Sequence, residues 1–255
     1  TDEQGTLQRE LMVLLDLSPS MNARDVQPNR LERARLELLD LIQRMQGTRM
    51  GIIVYGAQPH LLSPMTTDKN VLRHYVNGIR LQQLPTAGSR LDRALTFATK
   101  QFDKTDNTPR ALLIVGDGEH HADRKAKHIE KIVTDLNQQG IRLYALGIGT
   151  AYGAPVMGNK DGWLSYEGQT VNSRLQSQRL QKLTQIGQGR YSNVHDNNLD
   201  WQNLYDNGIG QLKPVSRTID TGQIIWHEMY HGFLLAGIIC LLLSLLAFQR
   251  KANTA

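Results

Sequence analysis

The sequence predicts an α/β domain, a doubly wound and mostly parallel sheet in the Rossmann-like manner, followed by one C-terminal transmembrane helix. Three observations carry this. Between residues 10 and 212, short continuous apolar runs alternate with segments that are apolar at every third or fourth position. Strands alternating with helices of this length pair in parallel through right-handed crossovers, with helices on both faces. Near the end, residues 232–248, GFLLAGIICLLLSLLAF, contain no charge.

In chain order, Leu11–Leu15 is the first buried strand. Leu31, Ala34, Leu38, Leu41, Ile42 and Met45 form the apolar stripe of a helix that Gly47 ends. Met50–Tyr55 is the second strand, and His60–Leu62 a short extra one after Gln58-Pro59. Helices follow on Val71, Leu72, Tyr75 and Ile79, and on Leu91, Leu95, Ala98 and Phe102. Ala111–Val115 is a third buried strand; Ile129, Ile132, Val133 and Leu136 mark the next helix, and Ile141–Leu146 a fourth strand. Residues 149–173 read as a loop with room for a hairpin. Leu175–Ile186 is helical, Arg190–Val194 a last strand, and Leu199–Leu212 a closing helix.

Of the 255 residues, 40% are hydrophobic and 21% charged, which is globular composition rather than that of a disordered chain or a polytopic membrane protein. The net charge of +5 is mild, and its densest runs, Arg30–Arg35 and Arg124–Lys127, sit on helical patterns or among acids. With aromatics at 6% and scattered, no basic stripe with stacking rings marks a nucleic-acid groove. The single cysteine, Cys240, excludes an internal disulfide and a multi-cysteine metal site.

The chain divides into a lead-in at 1–9, a domain at 10–212, a juxtamembrane linker at 213–231, the span at 232–248 and a tail at 249–255. Trp226 and Tyr230 suit the membrane interface, and Arg250 and Lys251 after the span put the tail in the cytoplasm and the domain on the other side. A buried core helix is the competing reading, but one rarely runs so long without polar interruption. The polar start TDEQGTLQRE has no apolar signal region and no initiator Met, so export implies sequence upstream.

In open α/β sheets, ligands sit at the carboxyl ends of the strands. The first strand ends in Asp16-Leu17-Ser18-Pro19-Ser20-Met21, the third in Val115-Gly116-Asp117-Gly118-Glu119, and Leu84–Ser89 opens the helix from Leu91. Two carboxylates and several hydroxyls therefore converge at one sheet edge. Such hard oxygen donors suit Mg²⁺ first, and Mn²⁺ or Ca²⁺ by the same chemistry. Two carboxylates balance a dication without saturating its shell, so a partner's Asp or Glu can complete it. Each piece has a plainer reading: Asp16 as a turn cap, Ser89 as an N-cap, Asp117-Gly118 as a turn. Their combination in this order favours the metal.

These three segments resemble the von Willebrand factor A family and its metal-ion-dependent adhesion site, over residues 10–212. The resemblance implies that Ser18 and Ser20 bind the metal directly, Asp16 directly or through water, and Asp117 through water. Ser89 stands where the family usually has Thr, with Thr86 the weaker substitute; Pro19 and Gly116 are the other departures. Met21, Thr86, Glu119 and His120 form the expected partner-binding rim. MNARDVQPNRLERARLELLDLI, GIGTAYGAP at 147–155, SRLQSQRLQKLTQIGQGRY at 173–191 and the terminal apolar span resemble the bacterial aerotolerance (Bat) subgroup of the BatA/BatB type. That implies a bacterial inner-membrane protein with a periplasmic domain. It further implies work with a MoxR-type AAA+ ATPase and sister VWA proteins, in stress tolerance or envelope-protein maturation. By the same analogy, ligand capture shifts the closing helix and signals to the membrane segment.

His227-Glu228-Met229-Tyr230-His231 is a literal His-Glu-x-x-His, which on a helix can seat Zn²⁺ with Glu228 activating water. A catalytic zinc needs a third protein ligand. Only the apolar span and RKANTA follow, and His195, Glu167 or Asp220 upstream have no supporting pattern. Interfacial polar residues are the simpler reading, with a zinc metallopeptidase as the alternative. Gly-x-Ser-x-Gly and the P-loop pattern are absent, so the chain reads as a binding protein rather than an enzyme.

Overall fold

The computed structural model describes residues 6–81, 84, 88–102, 108–119, 126–158, 162–194, 199–213 and 215–217. Strand β1 (Thr6–Asp16) leads through a 3₁₀ turn (Pro19–Asn22) into α1 (Arg30–Arg44). Then come β2 (Thr48–Tyr55), β3 (Pro59–Thr66), α2 (Lys69–Gly78), α3 (Leu91–Thr99), β4 (Arg110–Gly116), α4 (Ala126–Gln138) and β5 (Ile141–Gly147). Short strands β6 (Ala154–Pro155), β7 (Ser165–Tyr166), β8 (Gln169–Thr170) and β9 (Asn172–Ser173) precede α5 (Ser177–Ile186) and β10 (Tyr191–Asn193). The domain closes with α6 (Leu199–Trp201) and β11 (Val215–Arg217).

The main sheet runs β10-β5-β4-β1-β2-β3, with β11 on the early part of β1. Pairs β1–β2, β1–β4, β4–β5 and β5–β10 are parallel; β3 and β11 are antiparallel. Central β1 separates two cores by its period of two. Leu11, Val13 and Leu15 pack with Leu31, Leu38, Val76, Trp201 and Leu204 on one face. Met12 and Leu14 pack with Leu95, Ile129, Val133 and Leu180 on the other. Each fully buried side chain of this kind contributes about 1.5–3 kcal/mol. Helix α1 starts where the Asn29 side chain accepts the Glu32 amide at 2.8 Å, and α2 where Asp68 accepts the amides of Asn70 and Val71.

The expected α/β architecture is present, with differences in detail. β1 begins five residues before the apolar run, because β11 pairs with Thr6–Gln8 and β2 with Arg9 and Glu10. The 149–173 segment holds two small antiparallel pairs, β6–β9 and β7–β8. The closing helix is broken: after α6 the chain runs as a π-helix over Gln202–Asp206 and a 3₁₀ turn over Ile209–Gln211. A Cβ at Gly208, between them, would lie 2.3 Å from the Leu204 carbonyl oxygen, so the backbone folds back on itself there. Among the described residues no helix is long and apolar enough to cross a membrane; the predicted span at 232–248 and the tail at 249–255 lie outside those residues.

Candidate metal centre

The parallel register aligns the carboxyl ends of the central strands. Leu15 pairs with Val115, so Asp16 lies beside Gly116, and Asp117 is the next residue on β4's exit. A Cβ on Gly116 would sit 2.7 Å from the Asp16 Cβ, so glycine is what lets the carboxylate lie over β4. Tyr55 pairs with Asp16 on the other side.

Around Asp16 the predicted hydroxyls assemble. Its Oδ1 accepts the Ser18 amide at 2.7 Å, closing a tight turn that points Ser18 back toward the carboxylate. Ser18 and Ser20 share a hydrogen between their Oγ atoms at 2.8 Å. Ser89 donates to Oδ2 of Asp16 at 3.1 Å, on a segment held by the Arg90 amide on the Gly56 carbonyl at 2.8 Å. Asp117 directs Oδ1 to the Glu119 amide at 2.9 Å and Oδ2 to Nη1 of Arg30 at 2.9 Å. The five predicted donors, Asp16, Ser18, Ser20, Ser89 and Asp117, thus come from three separate loops to one sheet edge.

The electrostatics of Asp16 are one-sided. It is fully buried, and among the described residues no Lys or Arg forms an ion pair with it. Burial, then the negative charge of Asp117, push its pKa up to about 7, against the lowering effect of the Ser18 and Ser89 hydrogen bonds. Tyr55 is also fully enclosed. Its phenol is held well above the ordinary range, first by burial and then by the charges of Asp16 and Asp117. The oxygen-only donor set and a buried carboxyl whose ionised form no Lys or Arg among the described residues stabilises fit a hard divalent ion. Among the described residues no group of three or more His, Cys, Asp or Glu gathers, so a nitrogen- or sulfur-rich site has no support there.

The expected rim needs one correction. Met21 is fully buried, because the 3₁₀ turn directs it into the core beneath α1, and it cannot meet a partner. Glu119 is at the edge, its Oε1 accepting the Arg174 amide at 2.8 Å. Thr86 and His120, like His227, Glu228 and His231 of the zinc alternative, lie outside the described residues. Sequence reading passed over Arg30, which is fully buried and joins Asp117 to Asp25. Its signal was its place on the apolar stripe of α1, one turn before Ala34 and two before Leu38.

Residues 11–120 match the model of the von Willebrand factor type A domain. The fold is similar to that of an aerotolerance-related membrane protein from Bacteroides fragilis, at 26% identity and TM-score 0.73, over 79% of this chain and 98% of that one. It is similar also to BatB from Bacteroides thetaiotaomicron, at 27% identity and TM-score 0.70, over 75% of this chain and 92% of the other. Curated relatives include a UPF0353 protein of Nocardia farcinica, 22% identical over 71% of this chain and 56% of its own length. A UPF0353 protein of Mycolicibacterium paratuberculosis is 23% identical over 76% and 58%. The chain therefore spans less than two thirds of those relatives. The family match thus covers residues 11–120, and over most of the chain the fold is similar to those of the aerotolerance-related protein and BatB.

Proposed function

We propose that this protein binds a partner protein through a divalent cation held by Asp16, Ser18, Ser20, Ser89 and Asp117, without catalysis. The observation that carries the reading is Asp16: fully buried among neutral donors, with its pKa pushed up to about 7 by burial and the charge of Asp117, it is a carboxyl whose ionised form a cation there would stabilise. Ser18, Ser20 and Ser89 supply neutral oxygens that add no further charge. The bound ion, Mg²⁺ in the first instance, supplies positive charge that an Asp or Glu of the partner can meet.

In the wider setting we place the domain on the periplasmic side of a bacterial inner membrane, anchored by residues 232–248. There it works as a scaffold with a MoxR-type AAA+ ATPase and sister VWA proteins, in stress tolerance or envelope-protein maturation. The relation to the Bat proteins supports that setting. Calorimetric titration of the chain and its Asp16→Ala variant with Mg²⁺ and Mn²⁺ tests the site: binding is expected in the first and lost in the second. Equal heats in both remove the metal reading. Pull-down from membranes with and without chelator tests the partner, which is expected to be retained only without chelator.

A further inference from the structure

Arg30 is an unusual residue for its place. A cation at the first turn of α1 opposes the helix dipole, and a fully buried guanidinium carries a large desolvation cost. The surroundings are built to hold it. Asp25 takes Nε and Nη2 on its two oxygens, each at 2.8 Å, in the fork geometry that suits a guanidinium. Nη2 also reaches the Ser173 carbonyl at 3.1 Å, and Nη1 reaches the Ser173 hydroxyl and Oδ2 of Asp117, the latter at 2.9 Å. Asp25 is itself fixed by the Thr150 amide at 2.8 Å. A Cβ at Gly149 would fall 2.8 Å from Nε, so the backbone after β5 is shaped around the guanidinium.

The result bears on one oxygen. Asp117 has its Oδ2 tied to an immobilised cation and its Oδ1 on the Glu119 amide. Arg30 and Asp25 cancel in charge, leaving the carboxyls of Asp16, Asp117 and the edge residue Glu119 to face a cation if one binds. We propose that Arg30 is a positioning residue that withholds Oδ2 of Asp117 from the metal, so that Asp117 acts through water and a coordination position stays open for the partner's carboxylate. This rests on the metal reading above. It adds that the openness of the site is enforced by a clamp reaching from α1 to β9 and the loop after β5. Replacing the clamp frees an anionic oxygen to take that position.

The test uses Mn²⁺ with the full 255-residue chain, reading affinity and, by water-proton relaxation, the number of metal-bound waters. In Arg30→Gln, Mn²⁺ is expected to bind at least about tenfold tighter, since a nearby positive charge is lost, with about one water fewer. In Arg30→Gln with Asp25→Asn the summed charge equals that of the wild type, and the loss of a water persists. Unchanged hydration or weaker binding in these variants overturns the proposal. A wild-type measurement stands apart from any folding defect. The nitrogen-15 guanidinium resonances of Arg30 are expected to stay in slow exchange when Mg²⁺ saturates the site. Their collapse would mean the metal draws Asp117 away, and the clamp fails. If the wild type binds no Mn²⁺ at all, the metal reading falls instead.

Discussion

The hydroxyl of Ser89 meets Oδ2 of Asp16 at 3.1 Å, joining residues 73 positions apart in the chain. It is one of the contacts that turn a sheet edge into a centre. Ser89→Ala removes a donor to a buried carboxylate and an oxygen of the metal set together. Hydrogen bonds to charged groups contribute about 1.5–3 kcal/mol, so calorimetry should find Mg²⁺ affinity down about tenfold or more. Ser89→Thr keeps the hydroxyl and should bind as the wild type does. Identical affinities in wild type and Ser89→Ala would take Ser89 out of the site.

Acidity should oppose metal binding near neutrality. With the Asp16 carboxyl pushed up to about 7 by burial and the charge of Asp117, a proton competes for the site below that pH. Mn²⁺ affinity should therefore fall by up to about tenfold per pH unit on the acid side of 7. Stability without metal should move the opposite way. Asp16 holds its proton more tightly folded than unfolded, so its contribution is full below the ordinary value of 3.8 and is lost as pH rises through about 7. Urea unfolding in chelator from pH 5 to 8, compared with Asp16→Asn, checks the sign; a flat difference between the two would contradict it.

Gly116→Ala probes close packing at the same edge. The added Cβ would lie 2.7 Å from that of Asp16, against a neighbour on a fixed strand. Overpacking of this sort costs about 1–3 kcal/mol. Thermal unfolding should register the loss, and calorimetry a weakened metal site. A variant as stable and as tightly binding as the parent would show that the strands can part there.

Glu37, at the middle of α1, carries a fourth prediction. Nε1 of Trp201 donates to Oε2 of Glu37 at 2.8 Å, while Arg33 donates to Oε1 at 2.8 Å. Burial, then the nearby Asp200, raise the Glu37 pKa. Trp201→Phe leaves a buried carboxylate oxygen without its donor and should destabilise the domain by about 1–3 kcal/mol in chemical unfolding. Metal affinity should be unchanged, since none of the five donors is touched.

How much of this was legible beforehand follows from what each residue faces. Strands enclosed on both faces must be apolar throughout, so Leu11–Leu15 and Ala111–Val115 declare themselves, and their first polar residues mark the site. The hydroxyls were readable because Asp-x-Ser-x-Ser is local. Arg30 stood on the apolar stripe of α1, but the letter is the same as that of the half-buried, ion-paired Arg33 and Arg35 beside it, so its stripe position alone did not reveal its partners. Its partners Asp25, Asp117 and Ser173 are gathered by the fold. Polar Thr6–Glu10 gave no strand pattern because part of its pairing is to β11, more than two hundred residues later. The break after Trp201 was hidden because helical spacing of apolar residues survives a change from α to π winding.

That pairing of β11 with β1 has one more consequence. Arg217 lies opposite Thr6 and Val215 opposite Gln8, so the first and last strands of the domain run side by side. Asp16 is eight residues further along β1, about 26 Å away at the usual rise per residue. The domain is therefore closed at one pole by the β1–β11 pairing, with the two buried carboxylates near the other. The candidate site and the meeting of the two terminal strands thus lie at opposite ends of β1.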